Sequence, residues 1–120
     1  MNLDNQFKIQ FHFDEVISVL TTEDIQINLY RILQEQVKNI LKYSEANAIE
    51  VSLTISDHTV NMRIADNGKG FDTKTKKKGI GLRNINKRVE LLSGKFILNS
   101  APGNGCEIIV ELPVAEMLAH

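Results

Sequence analysis

Tryptophan is absent from this sequence, and aromatic residues make up only 6% of it. A surface that stacks nucleic-acid bases is therefore not expected. Cysteine is scarce too: Cys106 stands alone, so an internal disulfide framework is excluded and a reducing compartment suits the chain. Charge of one sign is lacking. With a formal net charge of −1, no global field draws nucleic acid or an anionic membrane. No apolar run approaches the roughly 18 residues needed to span a bilayer, and the opening MNLDNQFKIQ has no apolar signal-peptide core. Internal repeats are missing, as is any low-complexity segment longer than the lysine cluster at 74–78. What is there is ordinary and globular: 42% hydrophobic and 24% charged residues. The 120 residues fit one domain with a real core.

KIQFHF (8–13) alternates, with Ile9, Phe11 and Phe13 on one side and Lys8, Gln10 and His12 on the other. That predicts a half-buried strand. Thr21 and Thr22 open a helix, with Glu23 and Asp24 where the N-terminal dipole favours acids. The helix is expected to run to about Ser44, with Ile25, Leu29, Ile32, Leu33, Val37, Ile40 and Leu41 as its core stripe. Its opposite face carries Arg31, Glu35, Asn39 and Lys42 at helical spacing. Such a stripe is ordinarily the solvated side, yet Asn39 is a modest helix former set deep in the last turns. AIEVSLTIS (48–56) and TVNMRIAD (59–66) flank a tight Asp57–His58 turn and read as a hairpin. Ile49, Val51, Leu53 and Ile55 share one face of the first run, and Val60, Met62 and Ile64 share one face of the second. LRNINKRVELL (82–92) is a second amphipathic helix, with Leu82, Ile85, Val89 and Leu92 inward and Gly94 as its stop. KFILNS (95–100) and CEIIVELP (106–113) are two more strands, joined by APGNG, a turn by composition. Five strands and two main helices in this order predict an α+β fold, a two-layer sandwich with the helices on one face of a single sheet.

Between the hairpin and the second helix lies DNGKGFDTKTKKKGIGL (66–82). It is not an EF-hand loop: counted from Asp66, the third and fifth positions are Gly68 and Gly70, and the twelfth is Lys77. It is not a dinucleotide fingerprint either, since Asn84 stands where a third glycine belongs and no strand directly precedes Gly79. No GKS or GKT occurs, so a Walker loop is absent. Asn67-Gly68 is a strong turn signal, and a plain turn with a basic loop remains one reading. Three features point further. Gly68 and Gly70 let backbone approach a flat ligand closely. An ionised Asp66 only accepts hydrogen bonds, which suits the amino group of a base. Gly79-Ile-Gly81 runs into a helix N-terminus, where free N–H groups favour phosphate. The ligand so described is a nucleotide polyphosphate.

Four blocks stand in the order found in the GHKL ATPase superfamily of gyrase, heat-shock chaperone ATPases, mismatch-repair clamps and histidine kinases. LYRILQEQVKNILKYSEA (29–46) resembles the N box, DNGKGFD (66–72) the first glycine box, GIGLRNINKRVELLSG (79–94) the second, and SAPGNGCEIIVELP (100–113) the closing hairpin. The set is most similar to the catalytic ATP-binding domain of bacterial sensor histidine kinases. The short gap from Thr73 to Lys78 resembles the subgroup with a minimal ATP lid, as does glutamate at Glu35 opening the N box. The resemblance implies a Bergerat fold with a mixed five-stranded sheet.

It also implies roles at particular positions. Asn39 matches the magnesium-binding asparagine, and its amide oxygen is a hard ligand. Glu35, one turn earlier on the same face, matches the catalytic acid that orients or deprotonates the nucleophile. Lys42 and Tyr43 match positions near the phosphates or ribose. Asp66 matches the residue that recognises the adenine amino group. Gly68, Gly70, Gly79 and Gly81 match the glycines of lid and pocket, and Leu82 follows them at the phosphate end. Lys74, Lys76, Lys77 and Lys78 either steer the triphosphate or form a solvated lid, while Arg31 is expected to stay on the surface. At Cys106 the family usually has threonine beside the adenine site, and a thiol is the weaker hydrogen-bonding group.

A histidine kinase also needs a phosphoacceptor histidine on a helical dimerisation domain. His12, His58 and His120 fall in a strand, a turn and the last position. The chain therefore resembles the catalytic domain without its acceptor domain: a linker remnant at 1–7, the domain at 8–114 and a tail at 115–120. The implied ligands are ATP and Mg2+. The implied partners are the histidine-bearing domain of the same kinase and, downstream, a response regulator, in the cytoplasm and without direct contact to membrane or nucleic acid. Two alternatives share the fold: a stand-alone protein-serine kinase of the anti-sigma type, and an ATP-binding module without catalysis.

Overall fold

The computed structural model describes residues 8–15, 21–74 and 80–114. Its strands are β1 (Lys8–Phe13), β2 (Ala48–Ser56), β3 (Thr59–Asp66), β4 (Lys95–Ser100) and β5 (Cys106–Pro113). They form one five-stranded sheet in the order β1-β2-β3-β5-β4. β1 and β2 pair in parallel and the other pairs are antiparallel, so the sheet is mixed, as expected. Asp57 and His58 close the β2–β3 hairpin with φ of 49° and 63°. Two successive left-handed residues match the twist of the flanking strands, which is why a two-residue connection works here.

Helices α1 (Glu23–Asn39) and α2 (Ile80–Leu91) cover one face of the sheet. Between them lies the core: Leu29 and Ile32 from α1, Ile85 and Val89 from α2, and Val60, Met62, Ile64, Ile108, Val110 and Leu112 from the central strands, all buried. Each fully buried aliphatic side chain contributes about 1.5–3 kcal/mol, and the period-2 pattern of β3 and β5 places all of theirs inward. The open face of the sheet is polar. There Arg63 pairs with Glu107 and, at 3.3 Å, with Glu50. Among the described residues no helix is long and apolar enough to cross a membrane.

Thr22 caps α1, its Oγ1 accepting from the Ile25 amide at 3.2 Å, as its position predicts. Three expectations need correction. First, the helix is α-helical only to Asn39, and Ile40–Ser44 form a π-helical turn that ends at Glu45 with φ 58°. The wider turn breaks the 3.6-residue period, so Ile40 stays in the core at 3% exposure while Leu41, expected beside it, is 62% exposed. Second, the side of β1 expected to face inward is open: Ile9, Phe11 and Phe13 are 43%, 56% and 53% exposed. The helices pack over β3, β4 and β5, and β1 at the sheet edge is paired without being covered by them. Third, α2 begins at Ile80 and its left-handed terminal residue is Ser93, φ 60°, not Gly94. Gly94 instead donates its amide to Val89 O at 2.9 Å, completing a helix-ending pair of bonds. The expected linker at 1–7 and tail at 115–120 lie outside the described residues.

Candidate nucleotide site

Between the C-terminal end of α1, the loop after β3 and the start of α2 opens a cleft of about 360 Å³, within the range of ligand pockets. One end of it is built from backbone. Asp66 is the last residue of β3, paired with Cys106 at the start of β5. The Asn67 side chain accepts from the amides of Asn47 and Ala48, both at 3.0 Å. The Lys69 amide donates to Ser44 O at 2.8 Å, and Lys69 O accepts from Gly103 at 2.6 Å. Phe71 donates its amide to Ser100 Oγ at 3.0 Å. Gly70 has φ 62°, and a Cβ there would stand 2.2 Å from Ala101 O, so only glycine fits where this loop crosses the β4–β5 turn.

Asp66 is the polar centre of that end. Its Oδ1 accepts from the Gly68 amide at 2.7 Å. Its Oδ2 is buried and has no hydrogen-bond partner, alone in this among the described side chains. Burial raises its pKa above the ordinary carboxylate value, opposed by the backbone amides of Gly68 and Cys106. An orphaned buried acceptor is costly, and a donor arriving from a ligand relieves that cost. Cys106 lies next to it, buried, with its thiol pushed up to about 11 by desolvation and by the Asp66 charge.

The other end is built from side chains. Glu35 and Asn39 project from one face of α1 toward Gly81 near the start of α2. A Cβ at Gly81 would lie 2.6 Å from both Glu35 Oε2 and Asn39 Oδ1, so the glycine lets the second helix meet the acid and the amide directly. Lys42 and Tyr43 flank the cleft in the π turn. Both are exposed, with Lys42 Nζ 5.5 Å from the centroid of the Tyr43 ring. Among the described residues no three His, Cys, Asp or Glu side chains cluster as a metal cage.

Of the residues expected in the site, Glu35, Asn39, Lys42, Tyr43, Asp66, Gly70, Gly81, Leu82 and Cys106 line this one cleft. Gly68 is buried behind it, bonded to Asp66 rather than facing the opening. Gly79, Lys76, Lys77 and Lys78 fall outside the described residues. Lys74 does not line the cleft, and its amide bonds to Asp72 Oδ1 at 2.8 Å. Gln36, Lys38, Lys69 and Phe71 line it without having been anticipated. For Gln36 a signal existed: with Ile25, Leu29, Ile32 and Ile40 it falls on the core stripe of α1, and a polar residue there needs a reason.

A base-sized acceptor at one end, an acid and an amide at the other, and a glycine-bounded helix start between them define a nucleotide-binding domain. The family of histidine kinase-, DNA gyrase B- and HSP90-like ATPases matches residues 24–116. DegS of Bacillus subtilis (strain 168), a signal transduction histidine-protein kinase/phosphatase, is 36% identical over 90% of this chain and 30% of its own length. NreB of Staphylococcus carnosus (strain TM300), an oxygen sensor histidine kinase, is 32% identical over 78% of the chain and 27% of its own length. The blue-light activated histidine kinase of Erythrobacter litoralis EL346 superposes with a TM-score of 0.79 over 92% of this chain and 36% of that one. Its 13% identity shows the fold alone. The chain belongs to this ATPase family, as an ATP-binding domain of the sensor histidine kinase type. It spans less than a third of the length of these curated relatives.

Proposed function

We propose that this domain, spanning residues 8–114, holds Mg-ATP and presents its γ-phosphoryl group to a histidine on a separate dimerisation domain of the same kinase. The observation that carries the reading is Asp66 Oδ2, a buried acceptor with no partner, set across the cleft from Glu35 and Asn39. An exocyclic amino group of adenine supplies the missing donor. Gly70 and Cys106 line the base, while Lys42, Tyr43, Gly81 and Leu82 border the ribose and phosphates. Asn39 would hold Mg2+ through its amide oxygen, a hard ligand that suits an ion retaining most of its waters. There the ion would supply positive charge against the phosphate oxygens.

In the transfer, an imidazole nitrogen forms the new P–N bond as the bond to the β-phosphate oxygen breaks, ADP leaves, and the imidazole proton departs. Glu35 orients the imidazole and takes that proton. The phosphohistidine then serves a response regulator, in the cytoplasm. Two assays test this. A fluorescent ATP analogue is titrated against wild type and Asp66→Ala; equal affinity sinks the adenine assignment. The purified dimerisation domain of the parent kinase is then added with ATP and probed for acid-labile phosphate. Acid-stable phosphoserine instead would replace the histidine kinase by a serine kinase.

A further inference from the structure

Gln36 is 2% exposed and is the one buried polar side chain among the described residues. Nothing in the proposed transfer uses it. It nevertheless lines the same cleft as Asn39 and Cys106. Asn39 Nδ2 donates to Gln36 Oε1 at 3.3 Å. The bond to Asn39 decides which way that amide faces. A carboxamide whose nitrogen is engaged by a buried acceptor presents its oxygen elsewhere, and Asn39 Oδ1 receives no hydrogen bond from the described residues. Gly81 closes the far side, its Cβ position 2.6 Å from that oxygen and 2.7 Å from the nitrogen.

We propose that Gln36 is a positioning residue: by accepting from the Asn39 amide nitrogen, it fixes that amide with Oδ1 toward the phosphates. The inference rests on the Mg-ATP reading above. A flipped or freely rotating Asn39 would offer an amide nitrogen to the cation half the time. Loss of Gln36 therefore weakens the metal-dependent part of binding and spares the base-dependent part.

The test is the ratio of ATP-analogue affinities measured in Mg2+ and in EDTA. Gln36→Met keeps the length and apolar volume and removes the hydrogen bond to Asn39. The expected result is a ratio reduced about tenfold, as for loss of one hydrogen bond to a charged centre, with the EDTA affinity within about threefold of wild type. Asn39→Ala lowers the ratio similarly, and the double variant lowers it no further. An unchanged ratio in Gln36→Met beside a collapsed one in Asn39→Ala overturns the role of Gln36 and leaves the Mg-ATP reading intact. An unchanged ratio in Asn39→Ala removes the metal assignment and this proposal with it. A second measurement needs no substitution at Gln36: exchange of the Asn39 side-chain amide protons in the wild-type domain. Protection relative to the exposed Asn104 is expected. Exchange at the Asn104 rate overturns the proposal even where the Met variant does not fold.

Discussion

The two ends of the cleft are built differently. At the base end the chain is tied down step by step: Asp66 by strand pairing, Asn67 by Asn47 and Ala48, Lys69 by Ser44 and Gly103, Phe71 by Ser100. At the phosphate end no such lattice exists among the described residues. Glu35 and Asn39 reach from one helix to a glycine of another, and the remaining groups, Lys42 and Tyr43, are exposed. A base is flat and rigid and is read by fixed groups. A triphosphate with its ion is charged and variable, and is met by Asn39, bonded to Gln36, together with exposed side chains that adjust. The base end is therefore expected to set affinity and the phosphate end to set metal dependence.

Asp66→Ala breaks the first half of that comparison. It removes a charged acceptor, and affinity should fall about 10- to 100-fold, to a similar extent for ATP, ADP and AMP in calorimetric titration. A loss confined to ATP would show that the two ends are not separable. Asn39→Ala breaks the second half, with about a tenfold loss in Mg2+ and little change in EDTA. Gly81→Ala sharpens it. The added methyl sits 2.6 Å from Glu35 Oε2 and Asn39 Oδ1, so both must move, and Mg-ATP affinity should drop several-fold. Yet alanine is the better helix former by about 1 kcal/mol, so the thermal midpoint should hold or rise. A midpoint lowered along with affinity would mean that the helix itself, not the site, had been disturbed.

pH separates the ends more gently. Burial raises the Asp66 pKa, so as pH falls the carboxyl takes its proton earlier than an ordinary aspartate and ceases to be a pure acceptor. Nucleotide affinity should decline in acid from a pH above the usual carboxylate range. The nucleotide-free fold moves the other way. A folded-state pKa above the unfolded one means that the folded state binds the proton more tightly, so protonation through that window adds stability. Asp66→Asn should abolish both dependences in parallel titrations. The smallest effect belongs to Cys106. With its thiol at about 11, alkylation near pH 8 should run about 100-fold slower than for a free cysteine. Cys106→Thr should tighten nucleotide binding by no more than a few-fold.

The sequence by itself determined the strands and their faces. Period-2 alternation in 48–56, 59–66 and 106–113 matches the observed strands residue for residue, because which side of a pleat a residue occupies is a local property. It also determined that Glu35 and Asn39 share a helix face, since that needs only a 3.6-residue period. The glycine spacing around 66–82, matched to a family, was enough to gather the site residues in order. Tertiary structure alone decided the rest. Leu41 left the core because a π turn shifted the register at Ile40, and Phe11 and Phe13 stayed exposed because the helices pack over β3, β4 and β5 rather than the β1 edge. Gln36 became a buried amide lining the cleft beside Asn39 only when α1 packed over the sheet. Asp66 became an orphaned acceptor only when the loop from Gly68 to Gly70 folded over the β4–β5 turn. Each of these depends on which distant segment covers a side chain, and a local period carries no record of that.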